Sequence, residues 1–370
     1  MLSHRERLIL LNLIPGIGSL TVRRLLDAFG TLDQLWQASE YALQQVEGVG
    51  PMLAQRIVHG RREERQLKEE IALAQREGVS LMTLEDAEYP ASLRNIHDPP
   101  LVLSVRGSLP AADDIAIAMV GSRRASRYGV EVAERLAYDL ALRGVTVVSG
   151  LARGIDGAAH TGALNAQGRT IGVLGSGLCQ FYPAEHESLA RRMVEQGGAV
   201  ISEYPLRMAP LPHNFPRRNR IVSGLSLGVV IVEAAQRSGA LITCDCALEQ
   251  GKTVFAVPGP ITTPTSRGTH QLLRDGAKLV TCVEDILEEL HLEPQPVKSD
   301  TAVLSEHDAG PPLTVEEQRV LAFLTPQSPN DLDTVAVSSG LSAAVCAATL
   351  LGLELKRLIK PLPGKRFVRL

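Results

Sequence analysis

Two hydrophobic periodicities alternate along residues 115–280. Short runs rich in Val, Ile and Ala predict buried β-strands, and the longer amphipathic segments between them predict helices. This strict alternation predicts an α/β fold, with a Rossmann-like, mostly parallel sheet as the core of a domain at 79–291. Strands are predicted at 115–120, 145–149, 170–174, 199–202, 228–233, 254–257 and 278–280, and helices are predicted to begin at Ser126, Ile155, His186, Arg217, Gly239 and Thr269.

Residues 1–78 show a helical pattern with an imperfect internal repeat. Leu13-Ile-Pro-Gly-Ile-Gly18 and Val46-Glu-Gly-Val-Gly50 each place a Gly-x-Gly turn before an amphipathic helix. This repeat predicts an N-terminal helical domain of two helix-hairpin-helix (SAM-like) units. Such turns can present backbone N–H groups to a nucleic-acid phosphate, but a small helical bundle also needs glycine at tight turns, so both interpretations stay open.

The C-terminal part separates into a linker and a small domain. Residues 292–312 lose the apolar pattern and contain several Pro, Ser and Gly, which predicts a disordered linker. Residues 313–370 predict three helices followed by a β-ribbon with a turn at Gly364, the order of a winged-helix domain. Its third helix begins Ser342-Ala-Ala-Val345, which offers almost no base-reading side chains, so we favour a phosphate-contacting or protein-contacting role over sequence-specific DNA recognition.

Composition restricts the functional classes. A chain of 370 residues with a formal net charge of -3 has no global attraction for polyanions, so a polyanion site must come from local clustering. The five Cys are scattered, which predicts a reducing compartment, no disulfides and no metal site. We expect a cytoplasmic protein without a membrane span, because no run of about 20 apolar residues is present.

Gly, Ser and Arg recur directly after the predicted strands. The carboxyl ends of parallel strands and the helix N-termini that follow them share one sheet edge, so these turns can converge on one polyanion. An Arg fork suits phosphate, and Phe215 beside several Arg suits single-stranded nucleic acid, where a ring stacks on a base. The predicted nucleic-acid-binding residues are Gly121, Ser122, Arg123, Ser126, Gly129, Gly150, Arg153, Gly154, Phe215, Arg217, Arg218, Asn219 and Arg220.

Several enzyme motifs are excluded by their context. Gly251-Lys-Thr253 lacks the first glycine of a Walker loop, and Gly224-Leu-Ser-Leu-Gly228 precedes a strand where a nucleophile elbow must follow one. No Gly-x-Gly-x-x-Gly follows the first strand, so we predict no cofactor. Asp156 and Glu203 are the best acid/base candidates, but we favour structural roles and assign no catalytic residue. The alternative function is a Rossmann-like nucleotide hydrolase, similar to the phosphoribohydrolases.

The complete set of motifs closely resembles the DprA/Smf (DNA-processing protein A) family. The matching text runs from Tyr89-Pro90 through Gly121-Ser-Arg123, Ser149–His160 and Phe215-Pro-x-Arg-Asn-Arg220 to Gly268-Thr-His270. This resemblance implies a protein without established catalytic activity that binds single-stranded DNA, protects it and loads RecA onto it in natural transformation. It also implies a homodimer formed through the sheet domains.

The resemblance also implies roles for individual residues. Arg123, Ser126 and Gly129 would bind backbone phosphate, Arg153 and Gly154 would line the same cleft, and Phe215 would stack, with Arg217 and Arg220 clamping the strand. Some relatives carry a basic residue just before the Phe-Pro motif, whereas Leu211-Pro-His-Asn214 has none. Part of the phosphate binding would therefore fall to Arg207 or Arg218.

Overall fold

The computed structural model describes residues 2–292, 313–324, 330–356, 358–362 and 366–369. The chain divides into two compact units, Met1–Lys298 and Ser299–Leu370. The first unit contains both the helical region and the sheet region. Apart from residue 292, the predicted linker lies outside the described residues, as does the predicted turn at Gly364.

The helical region buries a core of Leu and Ile that includes Leu8, Leu11, Leu25 and Ile57. Gly18 and Gly50 are the N-cap residues of its second and fifth helices, so both predicted Gly-x-Gly turns lead into helices. The helices are α1 (His4–Leu13), α2 (Ser19–Phe29), α3 (Leu32–Gln37), α4 (Glu40–Gln44), α5 (Pro51–Gly60) and α6 (Glu64–Arg76).

The described residues of the sheet region form a nine-stranded, mostly parallel sheet in the order β1-β2-β6-β5-β4-β3-β7-β8-β9. The strands β1 and β2 extend one end of it in antiparallel pairing; β1 was not predicted. The bounds are β1 (Ser80–Thr83), β2 (Val102–Gly107), β3 (Ala116–Val120), β4 (Thr146–Ser149), β5 (Thr170–Val173), β6 (Ala199–Ser202), β7 (Gly228–Ile231), β8 (Thr253–Ala256) and β9 (Lys278–Leu279).

Helices cover both faces of this sheet. They are α7 (Ala91–Arg94), α8 (Arg127–Leu142), α9 (Ile155–Asn165), α10 (Glu187–Glu195), α11 (Asn214–Gly224), α12 (Gly239–Glu249), α13 (Arg267–Arg274) and α14 (Val283–Glu289). One boundary matters for the site. We predicted that α11 begins at Arg217, but it begins at Asn214, so Phe215 and Pro216 lie in its first turn.

The chain order of the strands places a switch point at β3. This strand pairs with β4 on one side and with β7 on the other, and the chain builds the sheet outward from β3 in both directions. Ligands of open α/β sheets bind at the carboxyl edge beside such a point. The Gly121-Ser-Arg123 turn follows β3 directly, so it lies at this edge.

The helical region is attached to the segment around β6 and α11. The side-chain amide of Asn12 donates to the carbonyl of Glu203 (3.3 Å), and the carboxylate of Glu70 accepts from the backbone N–H of Leu206 (2.7 Å). The hydroxyl of Ser19, at the start of α2, donates to Asp98. These contacts tie the helical region to the elements that carry the predicted aromatic-Arg motif.

The second unit has the predicted order of a winged helix. It contains α15 (Val315–Ala322), β10 (Asn330–Asp331), α16 (Leu332–Ser339), α17 (Ala343–Leu355), β11 (Ile359–Leu362) and β12 (Arg366–Arg369). The exposed residues of α17 include Ala343, Ala344, Val345 and Leu351, and none of its exposed described positions is charged. No single helix among the described residues is long and apolar enough to span a membrane; α16 and Ala343–Glu354 satisfy that criterion only as a pair bent by 106°.

Candidate nucleic-acid interface

The turns after β3 and β4 are in direct contact. The backbone N–H of Ile155 donates to the carbonyl of Ser122 (3.2 Å). Gly154 has φ of 75°, and a Cβ at this residue would overlap the same carbonyl, so only glycine fits. The predicted residues Ser122, Arg123, Arg153 and Gly154 therefore belong to one surface at the carboxyl edge of the sheet.

An aromatic side chain from α11 joins this surface. The ring of Phe215 lies over Gly175, where a Cβ would come within 2.7 Å of the ring. The Arg123 guanidinium carbon is 5.3 Å from the ring centroid, and the ring of Tyr182 packs against Phe215 with centroids 5.6 Å apart and the ring planes inclined at 58°. We call Arg123, Tyr182 and Phe215 the Arg-aromatic cluster. Arg123 is exposed, Phe215 is half-buried and Tyr182 is 40% exposed, so all three are accessible to a ligand.

Tyr182 was not among the nucleic-acid-binding residues predicted from the sequence. It follows the Gly175-Ser-Gly177 turn in the run Phe181-Tyr-Pro183, between β5 and α10. An exposed aromatic within a strand-end connection is the available signal, since neighbouring connections on this edge carry the Arg residues. The packing of its ring against Phe215 is a tertiary contact, and the sequence pattern does not show it.

The N-terminus of α8 is closed by a carboxylate of the protein itself. Glu233, which is buried beyond the end of β7, accepts from the backbone N–H of Ser126 (2.9 Å) and from its hydroxyl (2.5 Å). The Ser126 hydroxyl in turn accepts from the N–H of Gly129 (3.0 Å). We expected Ser126 and Gly129 to bind phosphate, but Glu233 occupies the position that a phosphate would take. Gly121 and Gly129 have no room for a Cβ because Ile155 and Glu233 pack against them.

Asp156 closes the turn after β4 in the same way. This buried carboxylate accepts from the backbone N–H groups of Gly150 (3.1 Å) and Ala152 (3.3 Å). Leu151 has a positive φ of 55°, and its carbonyl bonds to His186 Nδ1 (2.9 Å). Asp156 therefore shapes the turn that presents Arg153, which is the structural role that the sequence analysis favoured.

Arg218 does not face a ligand, which corrects the sequence prediction. It is only 4% exposed, and its guanidinium donates to the carbonyls of Gly150 (2.7 Å) and Val173. Burial lowers the pKa of Arg218 to about 10, which leaves it protonated at neutral pH, and burial also raises the pKa of Asp156. Gly150 lies so close to this guanidinium that a Cβ would collide with it. Arg218 therefore links the ends of β4 and β5 in the interior of the protein.

The guanidinium of Arg220 is also bonded to other residues of the protein, which corrects its predicted role as a clamp on the strand. Its guanidinium forms a bidentate pair with Glu203 (2.6 and 2.7 Å), and Nε donates to the carbonyl of Asp98 (2.9 Å). Burial lowers the pKa of Arg220, but Glu203 and Asp98 outweigh this effect and raise it above its ordinary value. Because Asp98 also accepts from Ser19, Arg220 links α11 to the helical region.

Arg217 and Arg153 remain on the surface. Arg217 is 43% exposed, lies 3.9 Å from Glu203 and borders the first Gly-x-Gly turn, where a Cβ on Gly18 would fall 2.5 Å from its Nη2. Arg153 forms an exposed ion pair with Glu185, and its hydrogen bond lowers the pKa of Glu185 to about 2. Exposed pairs are weak, so Glu185 stabilises this position of Arg153 only slightly. Asn219 is half-buried and contacts the Gly239 carbonyl (3.4 Å).

The remaining chemistry-bearing residues are structural. His160 is buried, its Nδ1 is 2.7 Å from the Thr170 hydroxyl, and burial lowers its pKa to about 3, so it is neutral. Within the described ranges, no group of three or more His, Cys, Asp and Glu could hold a metal ion. The five cysteines are free, and Cys244 is buried, as expected of a core residue.

Comparison with known proteins places this site within a family. Residues 80–291 match the DNA recombination-mediator protein A family, residues 305–365 match the DprA winged helix domain and residues 8–63 match the SAM-like helix-hairpin-helix tandem. The chain belongs to the DNA recombination-mediator protein A family. These matches confirm the resemblance and the fold predicted from the sequence.

Relatives of the recombination-mediator family cover most of the chain. Protein Smf of Escherichia coli is 45% identical over 294 residues, which are 78% of this chain and 77% of the relative. The DNA processing protein DprA of Bacillus subtilis is 41% identical over 60% of this chain and 74% of its own. An X-ray structure of DprA from Streptococcus pneumoniae superposes with a TM-score of 0.67 at 34% identity, covering 78% of this chain and 99% of that one.

A second similar structure is described by the ligand that its protein binds. DNA processing protein A from Helicobacter pylori, described in terms of its unique single-stranded DNA binding mode, superposes with a TM-score of 0.51 at 30% identity and covers 57% of this chain and 96% of its own. The Arg-aromatic cluster, Arg153 and Arg217 all lie inside the segment of this chain that matches the recombination-mediator family.

Proposed function

We propose that this chain binds single-stranded DNA without sequence preference along the carboxyl edge of its sheet. The observation that supports this most strongly is the Arg-aromatic cluster, in which an exposed guanidinium lies 5.3 Å from a ring that is accessible to a base. Aromatic rings stack on every base, and Arg binds the phosphate backbone, so this combination suits a single strand of any sequence. Arg153 and Arg217, on either side, extend the positive surface.

The direct contacts that we propose differ from the full set expected at first. Arg123, Arg153, Arg217 and Phe215 contact the strand together with Tyr182, and Ser122 and Asn219 border it. A second group does not contact the strand but holds the turns of this surface in position: the glycines, Ser126, Arg218 and Arg220. This division follows from burial: the first group is exposed or half-buried, whereas the side chains of the second group are bonded to the protein itself.

We further propose that the bound strand is delivered to RecA in the cytoplasm during transformation or recombination. Membership of a family named for mediating recombination supports this role. We propose a homodimer formed through the sheet region, since β9 is an edge strand and Leu279 on it is 52% exposed. For the winged helix we propose a protein contact, because the exposed positions of α17 carry no charge for DNA.

We propose that the chain is not an enzyme. The two carboxylates that a nucleotide hydrolase would need are already engaged: Glu203 forms a bidentate pair with Arg220, and Asp156 holds the turn after β4. A general acid or base must reach the substrate, and neither group is free to do so. Release of free base from nucleoside monophosphates by the purified protein would contradict this proposal.

Replacing Arg123 by Ala is expected to weaken binding of single-stranded oligonucleotides about tenfold, equally for different sequences. The lost phosphate contact should also reduce the slope of log affinity against log salt by about 0.7. Fluorescence anisotropy over a salt series measures both quantities. Arg135→Ala on α8 is the control, since this side chain is 85% exposed and lies far along the helix from the turn. Equal affinity and slope in the Arg123 variant and the wild type would remove Arg123 from the site.

A further inference from the structure

A positively charged cavity begins next to the Arg-aromatic cluster. It has a volume of about 630 Å³ and is bordered by the end of α6, by β2, by the connection after β5 and by α10. Arg76, Arg106 and Arg191 line it, together with Glu77 and Glu187. The proposed strand-binding residues do not include any of these side chains.

Arg106 is the uncompensated charge in this cavity. Arg76 is 3.3 Å from Glu77, and Arg191 is 3.9 Å from Glu187, so both glutamates are engaged with other arginines. The guanidinium of Arg106, which is half-buried on β2, has no hydrogen-bond or ion-pair partner among the residues that the structure describes. The planar fork of a guanidinium fits the oxygens of a phosphate. The cavity therefore suits an anion that Arg106 can bind.

The position of the cavity next to the Arg-aromatic cluster indicates which molecule would supply the anion. Phe181 lines the cavity, and the ring of the next residue, Tyr182, packs against Phe215. Consecutive Cα atoms are about 3.8 Å apart, so the cavity begins one residue away from the Arg-aromatic cluster. A DNA strand that leaves the cluster on the Tyr182 side would first meet Phe181, which offers an apolar wall for a sugar or base. Arg106 lies further into the same cavity, on β2 opposite Val200 of β6.

We propose that this cavity binds a backbone phosphate of the same DNA strand that the Arg-aromatic cluster holds, with Arg106 as the ligand-binding cation. The inference rests on the proposed function and extends its binding site beyond the strand-end turns. A free phosphate or a mononucleotide presents the same chemical group, so the experiment must separate these two sources from the strand.

The experiment compares Arg106→Gln and Arg106→Lys with the wild type on oligothymidylates of increasing length. Arg106→Gln should weaken binding of long strands about tenfold and reduce the salt slope by about 0.7, while strands too short to reach the cavity bind as they do to the wild type. Arg106→Lys keeps the charge and should recover the salt slope. Arg135→Ala serves as the control, and the thermal unfolding midpoint confirms that each variant is folded.

Three results would overturn the inference. Unchanged binding of long strands by Arg106→Gln would exclude the contact, and an equal loss on short and long strands would mean that Arg106 acts through the cluster or the fold. Binding of inorganic phosphate or thymidine monophosphate that depends on Arg106, with strand affinity unchanged, would assign the cavity to a small anion. Failure of the wild type to bind any strand would instead refute the proposed function itself.

Discussion

Replacing Arg218 by Met is expected to lower the free energy of unfolding of the first unit by about 2–4 kcal/mol, because it removes a buried guanidinium whose charge favours the ionised form of the buried Asp156. The carbonyls of Gly150 and Val173 would lose their donor as well. Urea unfolding followed by circular dichroism measures the change. Arg135→Met, on an 85% exposed side chain, is the matched control and should change stability by less than about 0.5 kcal/mol.

A double variant isolates the interaction behind this loss. Adding Asp156→Asn removes the buried negative charge but keeps an oxygen for the N–H groups of Gly150 and Ala152. The double variant should therefore be more stable than the sum of the single changes predicts, with a coupling of at least about 1 kcal/mol. If Arg218→Met kept wild-type stability and lost only DNA binding, Arg218 would be a contact residue, as the sequence first suggested.

Replacing Phe215 by Ala is expected to weaken binding of single-stranded DNA by about five- to 150-fold, since stacking on one aromatic ring contributes about 1–3 kcal/mol per base. The salt slope should stay at the wild-type value, because no charge is removed. An unchanged salt slope distinguishes Phe215→Ala from Arg123→Ala, which is expected to change both the affinity and the salt slope. Anisotropy titrations at several salt concentrations provide the measurement.

Two variants control for the half-buried position of Phe215. Phe215→Trp keeps a stacking surface and should retain most of the affinity. Leu211→Ala removes an apolar side chain of 39% exposure from the same connection between β6 and α11 and should bind normally. Equal losses in Phe215→Ala and Phe215→Trp would indicate damaged packing over Gly175 and would argue against stacking on a base.

The sequence predicts the architecture well because the fold depends on patterns that are local. Buried Val/Ile runs between amphipathic helices place Arg123, Arg153 and Phe215 near one sheet edge, and the structure brings them together there. The helix boundaries are less exact. Asn214 begins α11 although Pro216 follows it closely, and proline is tolerated in a first helical turn because it has no N–H to satisfy there.

The sequence does not show which Arg of Phe215-Pro-Arg-Arg-Asn-Arg220 reaches a ligand. Only tertiary packing separates the exposed Arg217 from the buried Arg218, but one signal was available. Ile221 and Val222 mark the buried face of α11, and Arg218 lies one helical turn before them on that face.

The acids that close the turns were harder to predict. A turn with Gly and Ser that leads from a strand into a helix N-terminus has the same sequence pattern in two cases. The anion at the helix N-terminus can be an external phosphate or a carboxylate of the protein itself. Glu233 reaches Ser126 from a distant part of the chain, across the β3–β7 pair. The glycines at 121, 129 and 150 are therefore explained by packing against Ile155, Glu233 and Arg218.

Photo-crosslinking identifies the side chains that stack on a base of the bound strand. A single strand that carries iododeoxyuridine, irradiated with the full-length protein, forms covalent bonds to aromatic side chains that stack on the base, and mass spectrometry identifies the modified peptide. We expect crosslinks at Phe215 or Tyr182, with loss of the Phe215 product in Phe215→Ala. Crosslinks confined to the helical region or to residues 313–370, with none at Phe215 or Tyr182, would contradict this expectation.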